Sequence, residues 1–241
     1  MLFLNMKKVI LGATGSIGSS LAKKLVEKGD QVHLIGREEA SLSSLASELD
    51  SSFTTCDVLE ENFCEKIIND LKDEPIDGLA FCIGSIDLKP LKLTKKSDFM
   101  QSFNLNLVSA TEVIRSLADN LKKNKGSIVL FSTVAVRQGF PNHTIVSSAK
   151  GAIEGLTLAL AAELAPNVRV NCIAPSLTNS KMSDFLLKNE KVKEGIAKMH
   201  PLKRIGEGSD TASVARFLLD KESSWITGQI IGVDGGRSSV A

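Results

Sequence analysis

The chain has no tyrosine among its 241 residues, so no phenol is available anywhere in it as acid, base or nucleophile. It has three histidines and one tryptophan. Its four cysteines, Cys56, Cys64, Cys82 and Cys172, are scattered and form no Cys-x-x-Cys pair. That spacing offers neither a zinc site nor a disulfide framework, so no metal is expected and the cysteines read as buried free thiols in a reducing compartment. Apolar runs are short. The opening MLFLNMKK is too brief for a signal peptide and no stretch approaches a membrane span, so a cytoplasmic protein without a membrane partner is expected. Charge is balanced, with 29 Lys and Arg against 28 Asp and Glu, a net +1 that gives no electrostatic reason for a nucleic-acid partner.

What the chain has is a regular alternation. A hydrophobic share of 43% over this length suits one large α/β domain with a substantial core. Short β-branched runs begin at KKVIL (Lys7–Leu11) and recur at QVHLI, SFTTCDV, DGLAFCIG, GSIVLFST, VRVNCIA and GQIIGVDGG. Between them lie amphipathic runs with apolar residues at helical spacing, such as Ile17, Leu21, Leu25 and Val26, closed by Gly29. A long helix is expected from Ser97 to Lys123 and another from His143 to Leu164. This order predicts a doubly wound α/β domain over 1–241, with a seven-stranded parallel sheet in the order 3-2-1-4-5-6-7. Met1 to Asn5 reads as an extension before the first strand. Ser176 to Gly208 has no clear sheet partner and reads as a lid-like insertion, more mobile than the sheet and ordered by ligand. Its Phe185, Leu186, Leu187, Val192 and Ile196 suit either the inner face of that lid or the core of a helical pair.

Gly12, Gly15 and Gly18 stand between the first strand and the first helix, in VILGATGSIGSSLA. Glycines there permit a tight turn and let backbone approach a pyrophosphate at the helix N-terminus. A dinucleotide cofactor is therefore expected. At the tip of the second strand, where an acid would grip an adenosine ribose, the sequence reads LIGREEA and offers Arg37. A guanidinium at this place can fork onto a ribose 2′-phosphate, which favours NADP over NAD, although Glu38 and Glu39 follow. Asp57 can accept from an adenine amino group or simply close a turn; both readings stand.

These stretches, together with NLNLVSA, GSIVLFSTVA, SSAKGAIEGLTLALAAELAPNVRVNCIAPS and SWITGQIIGVDGG, resemble the short-chain dehydrogenase/reductase family along nearly the whole chain. The resemblance implies a Rossmann-type oxidoreductase that moves hydride between NADP(H) and a small-molecule carbonyl, alcohol or activated alkene, assembled as a homodimer or homotetramer. It implies cofactor contacts from Gly12, Thr14, Gly15, Ser16, Ile17, Gly18, Arg37, Asp57, Val58, Lys150, Pro175 and Thr178. Lys150 matches the lysine that holds the nicotinamide ribose. Thr133 stands where the family has its substrate-orienting serine. Asn106 matches the asparagine that opens the fourth helix and anchors a water near the lysine. The pattern is also broken in places. Leu11 replaces a threonine, Ser16 a glycine of the first turn, FCIG the usual Asn-Asn-Ala-Gly, and Ser176 the glycine of the Pro-Gly turn over the nicotinamide. Val146 replaces the tyrosine of Tyr-x-x-x-Lys.

Valine has no proton to give. His143 lies seven residues before Lys150, two helical turns away, so the two side chains are expected on one helix face. The spacing and the PNH context resemble enoyl-acyl-carrier-protein reductases, where a tyrosine stands seven before the lysine. An imidazole titrates near neutral pH and its neutral tautomer can donate a hydrogen bond, so His143 is the candidate acid. His33 is expected to pack within its strand, and His200 to be structural. Trp225 suits a subunit interface or the core better than a substrate site. A second reading keeps the same fold without turnover, as a non-catalytic NADP(H)-binding or regulatory protein.

Overall fold

In the computed structural model, residues 6–240 are described; the expected extension Met1 to Asn5 lies outside them. The strands are β1 (Lys7–Leu11), β2 (Gln31–Gly36), β3 (Ser52–Thr55), β4 (Ile76–Phe81), β5 (Ser127–Phe131), β6 (Arg169–Pro175) and β7 (Ile230–Val233). They form one sheet in the order β3-β2-β1-β4-β5-β6-β7, every neighbouring pair parallel. The strand runs are apolar on both faces because helices cover both. The five residues of β5 and the centre of β1 are fully buried.

On one face lie α1 (Ser16–Glu27), α2 (Glu39–Glu48) and α9 (Gly208–Leu219). They bury Leu21, Leu25, Leu42, Ala212 and Leu218 against Ile10, Leu34 and Val129 of the sheet. The other face carries α3 (Phe63–Leu71), α4 (Lys96–Phe103), α5 (Ser109–Lys123) and α6 (Thr144–Leu164). Phe63, Ile67, Val113, Leu117 and Ile153 meet Leu11, Leu79 and Leu130 there. Two short helices, α7 (Asp184–Leu187) and α8 (Glu190–Lys198), belong to the segment between β6 and α9.

Several expectations change in detail. The helix expected to run unbroken from Ser97 to Lys123 is interrupted: α4 and α5 are joined by a wider, π-helical turn at Asn104–Val108. The helix expected from His143 starts at Thr144, and His143 is its N-cap. β3 ends at Thr55, so Asp57 and Val58 fall in the turn after it. Trp225 is 99% exposed and contributes nothing to the core. The segment from Ser176 to Gly208 adds no strand to the sheet; an isolated parallel bridge between Thr178 and Gly206 closes it on itself.

Candidate active site

Parallel strands end on one edge, and the turns after β1, β4, β5 and β6 meet there. The turn after β1 is shaped by contact. Gly12 has φ +73°, and a Cβ on it would lie 2.9 Å from the carbonyl oxygen of Cys82. A Cβ on Gly18 would lie 2.3 Å from the Gly12 oxygen, so helix and turn can touch only through glycine. Gly15 N–H donates back to Gly12 at 3.0 Å. The first-turn amides of α1 face outward, and no acidic residue stands among them to repel an anion. Thr14 and Gly15 are exposed, Ser16 and Ile17 half-buried. Ser16 Oγ donates to the carbonyl of Asn179 at 2.9 Å, joining this turn to the one after β6.

At the tip of β2, Arg37 is exposed just beyond the strand. The carboxylate of Glu38 accepts from Ser41 Oγ at 2.7 Å, which engages it with its own helix. Asp57 accepts from the Leu59 N–H at 3.0 Å, so it closes its turn. The Val58 side chain is buried in the core, leaving only its backbone to meet a nucleotide.

The centre of the site lies on α6 and the π-helical turn. Lys150 is buried, and its Nζ donates to the Ile83 carbonyl at 3.3 Å. Gly84 makes room for it: a Cβ there would lie 2.9 Å from Lys150 Nζ and 3.3 Å from Asn106 Oδ1. Asn106 spends its amide on the Ser102 carbonyl at 2.8 Å, and its Oδ1 is buried without a hydrogen-bond partner among the described residues. Burial pulls the Lys150 amine down to about 8; the thiols of Cys172 and Cys82 act weakly the other way. Burial likewise pushes the Cys82 and Cys172 thiols up to about 12, so both stay protonated beside the lysine.

Thr133 caps a short 3₁₀ turn after β5 by accepting from the Ala135 N–H at 3.3 Å, a contact that leaves its own proton to donate. Ser132 is the buried hydroxyl of the pair and bonds Glu154 at 2.8 Å. Ser147 Oγ donates to the Ala135 carbonyl at 2.9 Å, tying α6 to the same loop. Val146 is buried on the helix turn before Lys150.

His143 differs from the expected picture in its proton. Its Nδ1 lies 2.7 Å from the Pro141 carbonyl oxygen, which can only accept, so Nδ1 carries hydrogen. The neutral ring then has a lone pair at Nε2, and its one donor is already used. His143 can deliver a proton from Nε2 only as the imidazolium. Its ring packs against Phe140 at 5.3 Å between centroids, and the Arg237 guanidinium stands over the Phe140 ring at 5.3 Å. His33 is structural as expected: Ser52 and Thr54 hold its nitrogens at 2.8 and 2.9 Å, and burial lowers it to about 4.

Beyond β6, Pro175 is half-buried and Thr178 Oγ1 donates to the Ser176 carbonyl at 3.0 Å. Leu187 is buried, while Phe185 and Val192 are 55% and 44% exposed, so the two short helices leave apolar surface uncovered. The cysteines are free; Cys56 and Cys172 are buried as expected, while Cys64 and Cys82 are only half-buried, and the described residues contain no cluster fit to hold a metal. α6 is long and apolar enough to cross a membrane, but it packs on the sheet with Lys150 buried.

The fold and this edge define a doubly wound α/β domain with a glycine turn beside a buried lysine. A family model described as enoyl-(acyl carrier protein) reductase matches residues 12–238. A 3-oxoacyl-(acyl-carrier-protein) reductase of Rickettsia bellii is 30% identical over 96% of this chain and 96% of its own. An L-xylulose reductase of Bos taurus is 30% identical over 95% of each. Among solved structures, a short-chain dehydrogenase/reductase from Brucella melitensis superposes with a TM-score of 0.91 at 29% identity, covering 98% of this chain and 97% of that one. ElxO, as a tyrosine-to-phenylalanine variant with NADPH bound, superposes at 0.89 with 26% identity over 98% of this chain and 99% of that one. The chain belongs to the short-chain dehydrogenase/reductase family of oxidoreductases.

Proposed function

We propose that this protein transfers hydride between NADP(H) and a small carbonyl, alcohol or activated alkene, with His143 in the proton-donating role that Val146 cannot fill. The observation that carries the reading is the convergence of Lys150 Nζ and Asn106 Oδ1 on Gly84, beside the glycine turn. A buried oxygen without a partner and a buried amine with one long bond are poised for polar groups that the chain itself does not supply. A ribose diol and a chain of water fit that pair. The bound cofactor supplies the hydride. The chain supplies the rest: the α1 amides receive the pyrophosphate, Arg37 receives the 2′-phosphate, and Lys150 holds the ribose. Thr133 donates to the substrate oxygen, and imidazolium His143 releases its Nε2 proton to that oxygen as charge builds there. The segment after Ser176 acts as the substrate lid. A cytoplasmic homodimer or homotetramer is the working assembly, and the fully exposed Trp225 and the half-exposed Leu158 suit contacts between copies.

The test uses NADPH deuterated at the transferring position and a panel of ketones, aldehydes and enones. Deuterium on the former carbonyl or alkene carbon supports the assignment. The second reading, a regulatory NADP(H)-binding protein, is favoured by buried Val146 in the tyrosine position. It takes over if NADPH binds and no member of the panel acquires the label.

A further inference from the structure

Two hydroxyls stand at the junction between the cofactor edge and the helical insertion, and both are hydrogen-bonded. Ser16 Oγ, on the glycine turn, donates to the Asn179 carbonyl at 2.9 Å. Ser176 Oγ, the first residue after β6, lies 2.8 Å from Nε2 of His200. The short stretch from Ser176 to Asn179 is therefore tied to the glycine turn at one end and to His200 at the other, while between them Gly206 N–H donates to the Leu177 carbonyl at 3.1 Å and Asn179 N–H to the Gly206 carbonyl at 2.8 Å.

His200 is built to hold one of those ends. It is 2% exposed. Its Nδ1 lies 2.9 Å from the Ile196 carbonyl in α8; a carbonyl only accepts, so Nδ1 carries hydrogen. In the neutral ring Nε2 then accepts from the Ser176 hydroxyl. One imidazole thus links the last turn of α8 to the turn after β6. The histidine is in turn seated on the frame. Gly235 and Gly236 follow β7 at φ +62° and +86°; a Cβ on Gly235 would lie 3.6 Å from His200 Cβ, and one on Gly236 2.9 Å from Pro201. Leu202 N–H donates to the Gly235 carbonyl at 3.1 Å. Ser176 and His200 also line one side of a cavity of about 570 Å³ between the insertion, α9 and the turn after β7.

We propose that His200 is a positioning residue: through Ser176 it fixes the 176–179 stretch against the glycine turn, and so sets the affinity of the dinucleotide pocket and the resting place of the α7–α8 insertion. This deepens the proposed function and rests on the glycine turn being a dinucleotide site. His200 touches no reacting atom. It acts through one hydroxyl, and that makes its contribution separable from ordinary packing.

The experiment is a double-mutant cycle on the full chain, read by NADPH calorimetry and by hydrogen exchange of residues 176–183 in the cofactor-free protein. Ser176→Ala removes the hydroxyl. His200→Asn keeps a donor at the Nδ1 position for Ile196 but cannot reach Ser176. His200→Gln reaches Ser176 and gives up the Ile196 bond. One net hydrogen bond corresponds to roughly a two- to tenfold change in affinity. Ser176→Ala and His200→Asn should each weaken NADPH binding by that factor and speed exchange at 176–183 similarly. Their double variant should be no worse than either alone, and His200→Gln should recover most of both readouts. Additive losses, or recovery by His200→Asn and not by His200→Gln, would show that His200 only caps α8 and would overturn the proposal. If wild-type protein fails to bind NADPH, the dinucleotide reading falls. The exchange arm still judges the clamp: unchanged protection in Ser176→Ala refutes it.

Discussion

Lys150→Met offers a test of the site's electrostatics that needs no substrate. Burial holds the Lys150 amine at about 8 against an ordinary value of 10.5. In the unfolded chain the amine keeps its proton up to the ordinary value. Between those two pH values the unfolded state binds more protons, so the lysine's contribution to stability rises with pH. Linkage across a displacement of this size gives about 2 kcal/mol between pH 7 and pH 9.5. The buried thiols act in the opposite sense. Cys56, Cys82 and Cys172 are pushed up from 9.0 to about 11, 12 and 12, so above pH 9 the unfolded state loses thiol protons first and stability falls. The wild-type curve alone is a sum of opposed effects, and the difference from Lys150→Met isolates the lysine because both proteins share the thiols. No tyrosine titrates in the window. Urea unfolding should be followed by far-ultraviolet circular dichroism, since Trp225 is already 99% exposed when folded and its fluorescence reports little. At pH 7 the methionine variant should be the more stable, and its advantage should shrink by about 2 kcal/mol by pH 9.5. Parallel stability curves would mean that the amine is solvated in the folded protein, and the burial of Lys150 described above would be wrong.

Two further outcomes follow from the same geometry. Arg37→Ala should cut the preference for NADPH over NADH about ten- to a hundredfold, the worth of a charge-assisted pair; calorimetry with both cofactors checks it, and an unchanged ratio removes Arg37 from the pocket. NADPH should slow hydrogen exchange in α7 and α8 far more than in β5, because the insertion leaves Phe185 and Val192 exposed while β5 is wholly buried; equal, strong protection with and without NADPH would make the insertion fixed core.

The sheet was legible because each strand is a short apolar run closed by turn residues, and the order follows from one crossover per strand. The glycine turn was legible for a similar local reason. The break in the helix at Asn104–Val108 left no trace in periodicity, since a π-helical turn keeps apolar residues at nearly helical spacing. Only the resemblance at Asn106 pointed to it. The proton on His143 Nδ1 was missed although its partner, Pro141, is two residues away, because side-chain direction at an N-cap is not written in spacing. Ser16 with Asn179, and Ser176 with His200, are bonds across 163 and 24 residues. In the sequence Ser176 was visible only as a departure from glycine, and Ser16 as that and as an expected cofactor contact, neither as a link to the insertion. Their use emerges once the turns after β1, β6 and β7 are brought to one edge.

The central claim is that a histidine does the work of the absent phenol, and His143→Ala tests it most directly. With a substrate that accepts deuterium from labelled NADPH, the variant should lose about 10²–10⁴-fold in kcat, the usual worth of general acid catalysis, while its NADPH affinity stays within about twofold of wild type. A fully active His143→Ala protein would contradict the account and leave the proton to Thr133 or to water.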